Sequence, residues 1–106
     1  MNSLEERLQM IEFRQELLFR NDAFSRLMFE YEITKAQQDR IYDLMDLYRK
    51  RIGDGEEVDH RSFEQEVYEI TPQNSNNYQF VEFFTKELFE ADRWKEVYEA
   101  LYGESS

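Results

Sequence analysis

The stretch from Ser3 to Phe19 most constrains what this chain can fold into, because its helical pattern has two apolar faces. At about 100° per residue, one row of apolar positions is interrupted only by Gln15. We call this row the long stripe, and its members are Leu4, Leu8, Ile11, Gln15 and Leu18. The short stripe lies almost opposite and consists of Met10, Phe13 and Leu17. A surface helix of a monomer needs one apolar face, so we expect a partner chain to cover the other.

The long stripe is the better candidate for a subunit interface. It begins in the first turn of the helix, and its spacing resembles a short helix–helix seam. The short stripe is confined to the middle and end of the helix and aligns with Phe24, as a contact within one subunit should. Charged residues flank the long stripe, with Glu5, Glu12 and Glu16 on one side and Arg7 and Arg14 on the other. These charges can set the direction in which two helices pair.

Helical spacing continues along the rest of the chain, and no period-2 pattern of a strand interrupts it. We therefore predict an all-α fold of about five helices, built on helical hairpins, in one domain over residues 1–106. Residues 104–106 are expected to be a flexible tail. Only three Gly and one Pro occur in 106 residues, so breaks between helices should be few.

Local signals predict where the helices begin and end. Capping boxes are predicted at Ser3 with Glu6 and at Thr34 with Gln37. The other predicted N-caps and stops are Asn21, Gly53, Asp59, Thr71 with Pro72, Asp92 and Gly103. The polar run QNSNN, residues 73–77, is predicted to be a surface loop.

The charge balance restricts the kind of partner. The chain has 24 acidic and 13 basic residues and a formal charge of -11. Direct binding to a nucleic acid is disfavoured, because it depends on Lys and Arg neutralising phosphates. A basic protein partner, mimicry of nucleic acid, or simple solubility all agree with this charge. With no signal peptide and no apolar run long enough to span a membrane, the sequence predicts a cytoplasmic protein without membrane contact.

No motif for a metal or cofactor is complete. Cys is absent, which excludes disulfides and thiolate metal sites. The segment around Val58 resembles a calcium loop, but either alignment places Ser62 or Gln65 where the bidentate Glu belongs. His60 is the only histidine, and we interpret it as a residue at a helix start. We expect no cofactor.

Catalysis likewise lacks a candidate constellation. The hydroxyls of Ser25, Ser62 and Thr85 have no histidine in a sequence context that would activate them. The basic cluster of residues 49–51 suits the negative end of a helix dipole better than a phosphate site. The sequence therefore favours a protein that is not an enzyme.

Several of these segments resemble the YhaI-like family of small uncharacterised helical proteins from Bacillus and its relatives. The similarity lies in the opening residues 3–8, 11–13 and 17–18, then in Phe24 with Leu27, Ile33 with Thr34, and residues 58–60. Glu32 and the QNSNN run depart from the family pattern. The resemblance implies a multihelical subunit that assembles as a dimer or larger oligomer, without an established activity or functional residues to transfer.

We therefore expect a homo-oligomer, a dimer or tetramer, that acts by binding itself and an unidentified protein partner. One alternative is an acidic phage-type inhibitor, or nucleic-acid mimic, that occupies a basic site on a host protein. Another is a small enzyme whose site forms only between subunits.

Overall fold

A computed structural model describes the backbone of residues 2–20 and 22–103, and the side chains of residues 4–20 and 22–103. Within these residues the chain forms six α-helices and one 3₁₀ turn, and no strand. The α-helices are α1 (Asn2–Arg20), α2 (Ala23–Glu30), α3 (Lys35–Gly53), α4 (His60–Ile70), α5 (Tyr78–Glu90) and α6 (Lys95–Tyr102), and the 3₁₀ turn is Pro72–Asn74. The all-α prediction is confirmed, with six α-helices where about five were expected.

Consecutive helices pack against each other in pairs. Helix α1 contacts α2, α3 contacts α4, and α5 contacts α6, which is the contact pattern that helical hairpins produce. Further contacts join α2 to α5 and α3 to α6. Helix α1 therefore reaches the rest of the subunit mainly through α2.

The aromatic residues form the centre of the core. The Phe84 ring on α5 lies 5.2 Å from Phe80, 6.4 Å from Phe63 on α4 and 6.5 Å from Phe24 on α2, measured between ring centroids. Pairs of this geometry contribute about 0.5–1.5 kcal/mol beyond the area they bury. Three helices thus meet around one phenylalanine.

Two predicted helix starts are confirmed. At α3 the Thr34 hydroxyl accepts the Gln37 amide at 3.1 Å, and the Gln37 side chain accepts the Thr34 amide at 3.0 Å. At α4 the Asp59 carboxylate accepts the Ser62 amide at 2.9 Å. Both are local contacts three residues apart, which is why the sequence pattern predicts them.

The structure does not confirm the predicted starts of the first two helices. Helix α1 already includes Asn2 and Ser3, so it begins before the capping box predicted at Ser3, whose side chain lies outside the described part of the chain. The N-cap predicted at Asn21 also falls on a residue that the structure does not describe. Asp22 caps α2, and its carboxylate accepts the Ser25 amide at 2.8 Å.

The predicted start at Asp92 is wrong, and the stop predicted at Gly53 is right for the end of α3 but not for the left-handed residue that follows it. Gly53 is the last residue of α3, and Gly55 takes the left-handed conformation, with φ of 83°. The residue before α6 is Trp94, also left-handed with φ of 49° and without a capping side-chain bond. Asp92 is left-handed too, and its carboxylate lies 3.0 Å from the Lys95 ammonium. Gly103 does close α6, as predicted.

The QNSNN run is ordered rather than a plain surface loop. Its first residues belong to the 3₁₀ turn, and Asn74 is buried. The Gln73 amide donates to the Glu32 carbonyl at 3.2 Å and to the Gln37 side chain at 2.9 Å. Asn77 caps α5. The run therefore connects the α2–α3 junction to the α4–α5 junction, a long-range contact that local composition does not encode.

The molecule is elongated. Its radius of gyration is 14.5 Å and its extents are 46 × 25 × 24 Å, whereas a compact chain of this length would have a radius near ~13 Å. Helix α1, at 19 residues, is about 28 Å long and extends well beyond the eight-residue α2. The tail predicted at residues 104–106 lies outside the described residues.

Candidate functional site: the exposed face of α1

The short stripe of α1 packs inside the subunit. Phe13 is 4% exposed and Leu17 is 1% exposed, and the half-buried Met10 packs against the same core. Helix α2 supplies the facing surface. The prediction that this stripe faces its own subunit is confirmed.

The long stripe faces away from the subunit. Leu4, Leu8, Ile11 and Leu18 are 58%, 54%, 53% and 54% exposed, and Gln15 between them is exposed as well. All five residues predicted to form the interface thus share one open face. Contiguous exposed apolar surface on a soluble domain marks an interaction site more often than isolated apolar residues do.

Phe19 extends this face and was missed in the sequence pattern. Its ring is 91% exposed, more than any other large apolar side chain described. On the helical wheel it lies beside Leu8 and four positions after Gln15, at the edge of the long stripe. The sequence signal that could have identified Phe19 is its spacing of four residues from Gln15, the polar member of the long stripe.

The charges beside the long stripe are only partly engaged within the subunit. The Arg14 guanidinium donates to the Phe29 carbonyl at 3.3 Å and lies 3.9 Å from the centroid of the Phe29 ring. Glu16 pairs with Arg20 at 3.1 Å. Among the ion pairs of the described residues, none involves Arg7 or Glu12. These two side chains keep their charges available to a partner.

The N-terminal half of α1 projects from the body. Residues 4–9 are all exposed, and burial begins only at Met10. An open groove of about 720 Å³ separates this half from the start of α3, and its walls include Glu6, Gln9 and Lys35. An isolated helical segment of this length is marginal in water.

A second cluster surrounds the Glu64 carboxylate. It accepts the Tyr102 hydroxyl at 2.7 Å and lies 3.4 Å from His60 Nδ1. Burial, together with the bond to Glu64, raises the pKa of Tyr102 well above its ordinary value. His60 is the first residue of α4, as interpreted from the sequence. The cluster joins α4 to α6, and the raised pKa keeps the Tyr102 phenol protonated at neutral pH, so no phenolate base forms there.

The hydroxyls considered for catalysis serve local structure instead. Ser25 donates to Asp22 at 3.2 Å and Ser62 donates to Asp59 at 3.1 Å, each within a helix cap. The Ser62 amide and hydroxyl lower the pKa of Asp59. Thr85 donates to the Val81 carbonyl at 2.6 Å, one turn earlier in α5.

The basic cluster at residues 49–51 contacts groups of its own subunit. Arg49 pairs with Asp46 at 2.9 Å, and the Arg51 guanidinium lies 5.1 Å from the centroid of the Tyr48 ring. These contacts agree with the interpretation of the cluster as a helix end.

Metal ions are expected to leave the stability unchanged. No group of three metal-ligating side chains comes together in the described part of the chain. A site filled at one hundred times its dissociation constant would add about 2.7 kcal/mol to the free energy of unfolding. Differential scanning fluorimetry with calcium, magnesium or zinc should therefore show the same melting temperature as with a chelator. A rise of several degrees with one of these ions would overturn the prediction.

Comparison with protein-family models, with curated proteins and with solved structures found no match to this chain. The resemblance to the YhaI-like family accordingly stays a prediction. None of the described helices is both long enough and apolar enough to cross a membrane.

Proposed function

We propose that this chain is a non-enzymatic, homo-oligomeric interaction protein of the cytoplasm and that the long stripe of α1 is its subunit interface. One observation carries the proposal: the same helix buries its short stripe inside the subunit and leaves its long stripe more than half exposed. A dimer is the smallest assembly that covers this face. It does so with the same surface on both subunits.

The apolar burial that pairing of the long stripe would provide is comparable with the cost of association. Covering the remaining half of each apolar side chain contributes roughly 0.7–1.5 kcal/mol. Four such side chains in each of two subunits supply about 6–12 kcal/mol, which is comparable with the association cost of about 4–15 kcal/mol. Burial of Phe19 at the edge of the long stripe would add further favourable free energy. We expect a dimer that dissociates on dilution rather than a permanent one.

Sedimentation velocity over a dilution series tests this proposal. The weight-average mass should rise with concentration from the subunit mass of 13.1 kDa towards twice that value. High salt should leave association intact, because apolar burial dominates it. A mass that stays at that of one subunit at every concentration would remove the support for self-association.

The acidic charge supports a second candidate, an inhibitor or nucleic-acid mimic that occupies a basic site on a host protein. Such binding depends on long-range charge and should weaken steeply as salt shortens the screening length to about 8–10 Å. Immobilised protein challenged with a lysate over a salt series distinguishes the two. A retained basic protein that is released by moderate salt would favour the inhibitor.

A further inference from the structure

We propose that two copies of this chain pair in parallel and in register along α1, with Arg7 of each subunit facing Glu12 of the other. This inference rests on the proposed function, since it requires the long stripe to be a subunit interface. It adds the direction and register of pairing and the residues that specify them.

The spacing of the long stripe matches a coiled-coil seam. Its members follow one another at intervals of four, three, four and three residues. In a heptad this places Leu8 and Gln15 at a positions and the other three members at d positions. The long stripe is more than half exposed at each of its apolar members, so the seam is open to a second helix.

The flanking charges select the parallel arrangement. Glu5 and Glu12 then occupy e positions, and Arg7 and Arg14 occupy g positions. In a parallel pair a g residue faces the e residue of the partner's next heptad, which brings Arg7 to the partner's Glu12 twice. An antiparallel pair would bring e to e and g to g, so like charges would meet. Arg14 is already held by Phe29, so Arg7 and Glu12 form the available pair.

Gln15 favours the same register. In a parallel, in-register pair it meets the partner's Gln15, and the two amides can donate to and accept from each other. In an antiparallel pair an a position faces a d position of the partner, so the amide would meet an apolar side chain and have no partner. A single polar residue at an a position is a known device for specifying register and a two-stranded state.

The subunit bodies leave room for this pairing. Helix α1 meets its own subunit along the short stripe, which lies almost opposite the seam on the helix. Two bodies therefore lie on the outer sides of the paired helices. The projecting residues 4–9 can form the first turns of the seam without contact with either body.

Cysteine cross-linking tests the direction of pairing. The described residues contain no cysteine, and neither does the rest of the sequence, so introduced thiols are the only ones present. Leu4 and Leu18 are fourteen residues apart, or ~21 Å along the helix, whereas a disulfide needs Cα atoms within about 7 Å. In the parallel pair Leu4→Cys alone and Leu18→Cys alone each form a disulfide-linked dimer under mild oxidation. In an antiparallel pair each a position meets a d position, so neither variant links to itself, and only a mixture of Leu8→Cys with Ile11→Cys or with Leu18→Cys gives a cross-link.

Two further cysteines control the experiment. Ile11→Cys, at the centre of the seam, should link to itself in the parallel pair, whereas Gln9→Cys on the far side of α1 should not link in either direction. Linkage of Leu8→Cys to Ile11→Cys or to Leu18→Cys in a mixture, with no self-linked Leu4→Cys, Ile11→Cys or Leu18→Cys dimer, would overturn the parallel arrangement and leave the proposed function standing. A dimeric mass without any of these cross-links would overturn both the inference and the interface, and a monomer would do the same.

Charge exchange tests the proposed ion pair. Arg7→Glu should raise the dissociation constant of the dimer about 3- to 10-fold, because two exposed pairs are lost and replaced by repulsion. Adding Glu12→Arg to that variant should restore the original value, while Arg26→Glu on α2 makes the same change of charge away from the seam and should have no such effect. If the double variant binds no better than Arg7→Glu alone, the two side chains do not meet and the proposed register is wrong.

Discussion

Replacing Leu8 and Ile11 together by Glu is expected to convert the protein into a helical monomer. Both side chains are more than half exposed in the subunit, so their loss removes little from its own core. In a twofold interface the change removes four apolar side chains, roughly 3–6 kcal/mol of burial, and forces four carboxylates together. This loss of association free energy is larger than a dimer of modest affinity can tolerate without dissociating. Light scattering should give the subunit mass, and circular dichroism should keep the helical signal.

The matched control places the same substitutions on the other stripe of the same helix. Met10→Glu with Phe13→Glu should unfold the subunit, because Phe13 is only 4% exposed. Removing a buried Phe costs about 3–5 kcal/mol, and burying an unpaired carboxylate adds to this. The total is a large part of a typical stability of about 5–15 kcal/mol. If the Leu8 and Ile11 variant keeps its oligomeric mass, the interface lies elsewhere on the molecule.

A steep loss of stability above about pH 10 is the second large effect expected. Burial and a hydrogen bond to Glu66 raise the pKa of Tyr48 well above its usual value, and burial with the bond to Glu64 does the same for Tyr102. The folded state then holds protons that the unfolded state releases, so stability falls as pH rises. Each of the two phenols contributes a slope of up to about 1.4 kcal/mol per pH unit. The contribution is fully present below the pKa of the unfolded chain.

Urea unfolding at a series of alkaline pH values measures this slope. Tyr48→Phe should reduce it by up to about 1.4 kcal/mol per pH unit, because one linked proton is gone. It also leaves Glu66 without its donor, so some stability is lost at neutral pH. Tyr78→Phe is the control, since that side chain is 57% exposed. Equal stability at about pH 9 and about pH 11 would show that these phenols ionise as freely in the folded protein as in the unfolded chain.

The predictions that succeeded concern contacts within one or two helical turns. Thr34 with Gln37 and Asp59 with Ser62 are bonded three residues apart, and the two stripes of α1 follow from helical geometry alone. Such features depend on neighbours that the chain itself supplies at fixed spacing. The all-helical character, the caps at Thr34 and Asp59 and the existence of two apolar faces were therefore determined by the sequence.

The tertiary structure decided everything that depends on residues far apart in the chain. The position of α2 under Phe13 and Leu17 made the short stripe the buried one, and the same contact left Phe19 and the long stripe outside. The Gln73 side chain bonds to Glu32 and Gln37 because the fold brings these distant residues together. Trp94 adopts a left-handed backbone, and its indole NH donates to Asp46 on α3 at 2.8 Å. A helical wheel shows which residues share a face but not what that face packs against. The free energy that selects the packing partner comes from contacts between segments that are distant in sequence.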